Sequence, residues 1–405
     1  MKIFYIALLC LISIAGKSQD DLKSHFIMTW DSRNKGFGDS TQILVPLRGE
    51  YAVKWHEVEN LENKGVIENC TDNIIIKFPK PGRYKLVVSG TLSTMNFAEY
   101  TIDSIPQPKY GDKDYKFISV DQWGGTIWQS FESFFYNCKS IEIKATDTPN
   151  LTQVTSFKRA FSHAGNFNST LENWDMSNVK DMSFMFFWAS SFNQPLNAWD
   201  VSSLENTHSM FADADKFNQP LDSWNVSKVN SMYAMFWSAN NFNQNIESWD
   251  VSNVASMYAM FQDAYSFNQP LEKWNVSNVK DMNCMFLGAE AFNQPLGKWD
   301  VSQVAGEGFK QMFNKATSFN QPLNEWNVSQ PTDISFMFNG AKSFDQPLDK
   351  WRINKDCIIS VQSSSGGLKG VFTGTDMSDK NLQLTLNAWE RTDLIDAFKE
   401  STQKP

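Results

Sequence analysis

The sequence predicts an α/β repeat solenoid, built from one strand and one short helix per 25-residue unit, preceded by a small all-β sandwich. Three observations carry this expectation. Tryptophan returns at Trp174, Trp199, Trp224, Trp249, Trp274 and Trp299 in steps of 25, and then at Trp326 and Trp351. A fixed period in this range means supersecondary units that bury their apolar faces by stacking on one another. Within a unit, Trp199 and Val201 flank Asp200 at strand spacing, whereas Met182, Met185, Phe186 and Ala189 fall at i, i+3, i+4 and i+7, one stripe of a helix. Before the repeats, the runs FIMTW, ILVPL, YAVKWHEV, NIIIKF and RYKLVVSGTL show no helical period and are separated by Gly, Asn, Asp and Pro, as strands are.

In chain order, residues 1–18 read as a secretory signal peptide, with Lys2, an apolar run from Ile3 to Ala15 and small residues after it. The run is too short to span a bilayer, and Ala-Leu-Leu before Cys10 leaves no small residue for cleavage ahead of a lipidated cysteine. Residues 19–105 are the expected sandwich, in which Pro81-Gly82 suits a tight turn into the strand RYKLVVSG. Residues 106–117, with Pro106, Pro108 and Gly111, read as a linker.

Residues 118–166 hold degenerate units: Phe131, Phe134, Phe135 and Cys138 keep the stripe without the FNQPL string, and Phe157, Ala160, Phe161 and Ala164 complete the transition. Residues 167–352 carry eight repeats. One step of 27, into Trp326, is expected as a local bulge in VAGEGFKQMF, because Phe319 and Phe344 resume the beat. Residues 353–405, with a divergent Trp389, read as a C-terminal cap and tail, since the terminal core must be closed off. The recurrent Asn-Gln pair, from Asn193 and Gln194 to Asn320 and Gln321, stands where the chain turns, and stacked amides there can satisfy backbone groups and one another. A sugar-binding role for that ladder is the alternative.

The unit FNQPLxxWDVSNVxxMxxMFxxA resembles the repeat of the BspA-family leucine-rich-repeat surface proteins of bacteria, over residues 118 to 393. The resemblance implies a leucine-rich-repeat-like fold, a secreted or cell-surface location, and adhesion or binding without catalysis. It names no ligand. The amino-terminal sandwich resembles a PKD-like module through PKPGRYKLVVSG, although VKWHEVEN stands where such modules carry W-G-D-G.

Charge and motif content narrow the function further. With 45 acidic against 36 basic residues, the net charge of −9 repels phosphate backbones and anionic lipid, so neither nucleic acid nor membrane insertion is expected. The histidines His25, His56, His163 and His208 lie at no metal-ligand spacing, no G-x-S-x-G, H-E-x-x-H or P-loop string occurs, and the Asp and Ser of WDVS recur in every unit where a catalytic site is built once. No enzyme, cofactor, catalytic residue or metal is therefore expected. The four cysteines after the leader share no spacing pattern, so a disulfide framework is not expected.

A secreted binding or adhesion protein facing an unknown extracellular protein or glycan is the expected function, with a structural surface-layer component or an extracellular hydrolase as alternatives. Two groups of residues are candidates for contact. The first is the outward column Asp175, Asp200, Asp250 and Asp300, interleaved with Asn225, Asn275 and Asn327, read as a solvated ladder or a weak divalent-cation stripe. The second is Phe187, Trp188, Tyr233, Trp237 and Tyr258, aromatic on a flank that is otherwise small or polar, read as rings wedged between units or as an interaction patch.

Overall fold

Strand formation at the amino end follows from alternation of buried and exposed side chains. In Leu47–Glu57 (β3), Tyr51, Val53 and Trp55 are buried while Lys54 points out, and in Arg83–Met95 (β6), Tyr84, Leu86 and Val88 are buried. The two strands pair antiparallel with Trp55 opposite Leu86 and Val53 opposite Val88, so the inward faces coincide. The structure, a computed structural model, describes residues 23–98, 115–362 and 368–395. The expected signal peptide, and residues 106–114 of the expected linker, lie outside the described residues.

Phe26–Asp31 (β1), Lys64–Cys70 (β4), Phe117–Gln122 (β7) and Glu142–Ile143 (β8) join these two in one six-stranded mixed sheet of order β4-β3-β6-β1-β7-β8. Gln42–Val45 (β2) and Ile74–Lys77 (β5) form a separate two-stranded ribbon whose Ile43, Val45 and Ile76 share the same core. Two matched antiparallel sheets of a sandwich are therefore not what forms. Strands β7 and β8 come from the stretch expected to open the repeats, and β8 runs parallel to β7. Trp123, just after β7, packs against Trp174 at 5.4 Å between ring centroids, so a single hydrophobic core runs from the sheet into the repeats.

The repeats stack in parallel register, and this is where the expected fold class is overturned. The only α-helix among the described residues is Asp379–Ala388 (α1), so there is no helix in any repeat, and Trp199–Val201 is not a strand. Where a helix was expected, left-handed backbone recurs every four residues: Phe184 and Trp188 have φ of 57° and 60°, and Ser209 and Asp213, Ala234 and Ser238, and Ala259 and Asp263 repeat the pair. A continuous right-handed helix cannot contain such residues. Alternate N–H groups instead reach the next repeat, Phe184 N to His208 O at 2.8 Å and Phe186 N to Met210 O at 2.9 Å, while the N–H groups between them close tight turns, as Met185 N to Met182 O at 3.1 Å. Strand pairing is reduced to single parallel bridges, one per repeat, through Ser156, Asp181, Asn206, Ser231, Ser256 and Asp281.

The stripe itself is buried, with Met182, Met185, Phe186 and Ala189 all at 0% exposure. Phenylalanines stack in two columns: Phe211, Phe236 and Phe261 follow at 5.6 and 5.8 Å, and Phe217, Phe242 and Phe267 at 6.0 Å. A tryptophan column runs beside them, and from Trp199 to Trp351 each indole donates to the carbonyl of a leucine or isoleucine in the preceding repeat, as Trp249 Nε1 to Leu221 O at 2.9 Å. This satisfies a polar atom that burial would otherwise leave orphaned. The 27-residue step is absorbed at Ala305–Gly308, where Gly308 N bonds Ala305 O, and Trp326 still reaches Leu296 O at 2.9 Å.

The asparagine ladder is realised. Asn218 N donates to Asn193 Oδ1 at 3.0 Å, Asn243 N to Asn218 Oδ1 at 2.9 Å and Asn268 N to Asn243 Oδ1 at 2.9 Å, with a glutamine amide joining at each step. At the carboxyl end, Ser360–Gln362 (β9) and Leu368–Gly370 (β10) form a hairpin, after which Phe338 N bonds Val371 O and the last repeat is resumed. Helix α1 then closes the stack: Asp345 accepts from Ser378 N and Asn381 Nδ2 at 2.8 Å each, and Trp389 Nε1 donates to Leu348 O at 3.1 Å.

Candidate binding face

The two left-handed columns place an aromatic flank on one side of the stack. From the first, Phe184 lies under the guanidinium of Arg159 at 5.5 Å. His208 stacks on Tyr233 at 4.3 Å, and Tyr233 on Tyr258 at 4.7 Å, so the rings continue repeat by repeat. Phe184 meets His208 at 4.8 Å and Phe187 at 5.7 Å, and His163 stacks on Trp188 at 6.0 Å. Of the five aromatic residues expected here, Trp188 is 53% exposed while Phe187, Tyr233, Trp237 and Tyr258 are half-buried. Tyr233, Trp237 and Tyr258 rest on a small cluster of Ala234, Ala259 and Cys284, separate from the main core.

The rings therefore differ in exposure from member to member. Tyr233 and Tyr258 pack between repeats, and Trp188 projects. Sequence reading missed Arg159, His163, Phe184 and His208, which complete the flank. His163 shares the offset of Trp188 from the Met-Phe stripe and His208 that of Tyr233, each in a neighbouring copy, whereas Arg159 and Phe184 form a column of their own two residues before the stripe phenylalanine. Burial, with Lys139 and Arg159 close by, pulls His163 down to about 4, so its ring is a neutral stacking partner at pH 7.

Asp213 lies in the same left-handed column as Trp188. Burial, reinforced by the carboxylates of Asp215 and Asp263, pushes its carboxyl up to about 6, while a hydrogen bond from Trp188 opposes the rise. A folded-state value raised from 3.8 means that this group's contribution to stability is complete below pH 3.8 and is lost as the pH rises through about 6. Asp213→Asn keeps an acceptor for Trp188 and suits left-handed backbone. It should raise the melting temperature at pH 7 and leave it almost unchanged at pH 4, read by thermal denaturation at the two pH values.

The aspartate column is exposed and is occupied locally. Asp175, Asp200, Asp250 and Asp300 each accept the backbone N–H of the serine two residues on, at 3.1, 2.9, 3.0 and 3.1 Å, and Asn225 and Asn275 do the same at 3.2 Å. These are turn-forming side chains. The serine hydrogen bonds hold the carboxyls of Asp200, Asp250 and Asp300 below the ordinary aspartate value. Among the described residues no group of three or more His, Cys, Asp or Glu is placed to hold a metal ion. Cys70, Cys138, Cys284 and Cys357 are buried thiols, and burial pushes Cys284 and Cys357 up to about 11, away from nucleophilic use.

Comparison with protein families finds a match to the family described as "Mycoplasma protein of unknown function, DUF285", over residues 129–240, 220–309 and 306–364. Together these span more than half of the 405-residue chain. The chain belongs to the DUF285 family. The three overlapping DUF285 matches fall on the stacked repeats and include the whole aromatic flank from Arg159 to Cys284. The six-stranded sheet lies mostly ahead of them, apart from β8. No curated protein and no solved structure matches the chain. Among the described residues no helix is long and apolar enough to cross a membrane.

Proposed function

We propose that the protein is an exported binding protein whose DUF285 repeats present the aromatic flank to a protein partner at the cell surface, in the manner of the BspA-type surface proteins its repeat resembles. The observation that carries this reading is the flank itself: a run of Arg, His, Phe and Tyr across successive repeats, with Trp188, 53% exposed, beside its first members. Arg, Tyr and Trp are the residues that dominate binding energy where proteins meet. The leader-like residues 1–18 support export, and the net charge of −9 supports a partner other than nucleic acid.

A binding screen of the protein without residues 1–18 against extracellular matrix proteins identifies the partner. Trp188→Ala should then weaken binding by about 2 kcal/mol or more while changing stability by less than about 1 kcal/mol. Equal affinity of the variant and the wild type would move the contact away from this flank.

A further inference from the structure

Apart from the aromatic flank, a shallow groove of about 630 Å³ crosses the asparagine ladder, lined by Asn193, Lys216, Asn218, Asn241, Asn243 and Ser266. We propose that this groove binds a linear, acidic oligosaccharide.

The argument begins with the ladder's own geometry. The Oδ1 atoms of Asn193, Asn218 and Asn243 each accept two hydrogen bonds from the next repeat, one from a backbone N–H and one from a glutamine amide, all between 2.9 and 3.0 Å. A backbone N–H can only donate, which fixes which end of each planar amide is the oxygen. The other half of each amide, Nδ2 with its two N–H donors, is what remains for the groove. Three repeats therefore present the same donor in register. The neighbouring phenylalanines, Phe192, Phe217 and Phe242, repeat at 6.0 Å, a spacing on the scale of one sugar ring in a linear chain.

Lys216 sets the charge of the ligand. The equivalent positions in the other repeats are Asn166, Ser191, Asn241, Ser266, Ala291, Ser318 and Ser343, so the cation stands at one place in this column. Lys216 is exposed and makes no ion pair among the described residues. The adjacent Asp215 carboxylate is engaged by Asn240 Nδ2 at 2.6 Å, and its carbonyl by Asn241 Nδ2 at 2.8 Å. Donors in register with one ammonium match a chain of hydroxyl and ring oxygens that carries a carboxylate or sulfate. A protein partner would need apolar anchors, which the amide and hydroxyl lining does not offer.

Isothermal titration of the protein with an oligogalacturonate, a heparin-derived sulfated oligosaccharide and a neutral cello-oligosaccharide tests this. At least one acidic probe should bind ten-fold or more tighter than the neutral one, and which of them does so tells carboxylate from sulfate. Lys216→Ala and Asn218→Asp should each weaken that binding ten-fold or more with the melting temperature unchanged. Asn218→Asp keeps the accepting oxygen of the ladder and replaces the donor. The protein already tolerates that exchange at the ladder's end, where Asp345 Oδ1 accepts from Ser378 N and Asn381 Nδ2 at 2.8 Å each. Failure of both acidic probes to bind, equal binding of the neutral probe, or wild-type affinity in Lys216→Ala overturns the proposal. Because neither substitution touches Trp188, loss of glycan binding and loss of protein binding are read separately.

Discussion

Trp224→Ala should cost about 3–5 kcal/mol of stability, the range for removing a large aromatic side chain from a packed core. Trp224 is 3% exposed, lies 6.3 Å from Trp199 and 6.5 Å from Trp249, and touches Phe211 at 6.3 Å. Alanine leaves a cavity between two repeats that cannot collapse, because both neighbours are held in register by their own hydrogen bonds. It also leaves Leu196 O without the indole donor that now meets it at 3.0 Å. Each repeat touches only its neighbours, so a void at Trp224 divides the stack into two shorter runs and lowers cooperativity as well as stability. Chemical denaturation followed by tryptophan fluorescence measures both. A loss under about 1 kcal/mol would show that the tryptophan column does not hold the repeats together.

The second large effect lies in the amino-terminal sheet. Gly90→Ala should destabilise the protein by about 3 kcal/mol or more, the combined cost of a forbidden backbone conformation and a steric clash. Gly90 has φ of 124°, and a Cβ there would sit 2.2 Å from the backbone oxygen of Glu50 on β3. Neither atom can move without breaking the β3–β6 ladder, whose register places Gly90 opposite Tyr51. Because Trp123 and Trp174 join the sheet to the repeats in one core, the loss should appear as a lowered single transition under differential scanning calorimetry. Two resolved transitions, only one of them shifted, would mean that sheet and repeats unfold independently.

What the sequence disclosed and what it concealed divide along physical lines. Period, stacking and the buried columns were legible, because identical side chains at fixed intervals admit few arrangements. The path of the backbone between them was not. Over the eight residues from Met182 to Ala189, a helix of period 3.6 and a run of turns with left-handed residues every four positions bury the same four side chains. Glycine would have marked the difference, and in these columns it does so only at Gly288, Gly340 and Gly374; elsewhere Phe184, Trp188, Ala234 and Cys284 adopt positive φ without any compositional sign. The hydrogen bonds that offset this strain come from the next repeat, 24 residues away in Phe184 N to His208 O, beyond the reach of local propensity. At the candidate site, Trp188, Tyr233 and Tyr258 were visible as departures from the consensus. His163 and His208 were not, although they share the columns of Trp188 and Tyr233, because an imidazole reads as one more polar residue until its stacking partners are placed.

The in-register ladder has a consequence for inheritance. Asn243 N meets Asn218 Oδ1 as Asn218 N meets Asn193 Oδ1, and Trp249 Nε1 meets Leu221 O as Trp224 Nε1 meets Leu196 O, at distances that agree within about 0.1 Å. Removing or duplicating one 25-residue tract therefore joins surfaces that already fit, because the side chains that make these contacts recur in each tract. The number of repeats is a quantity that the gene can change in single steps without inventing a new contact, so the reach of the molecule can drift between lineages while its two ends stay as they are.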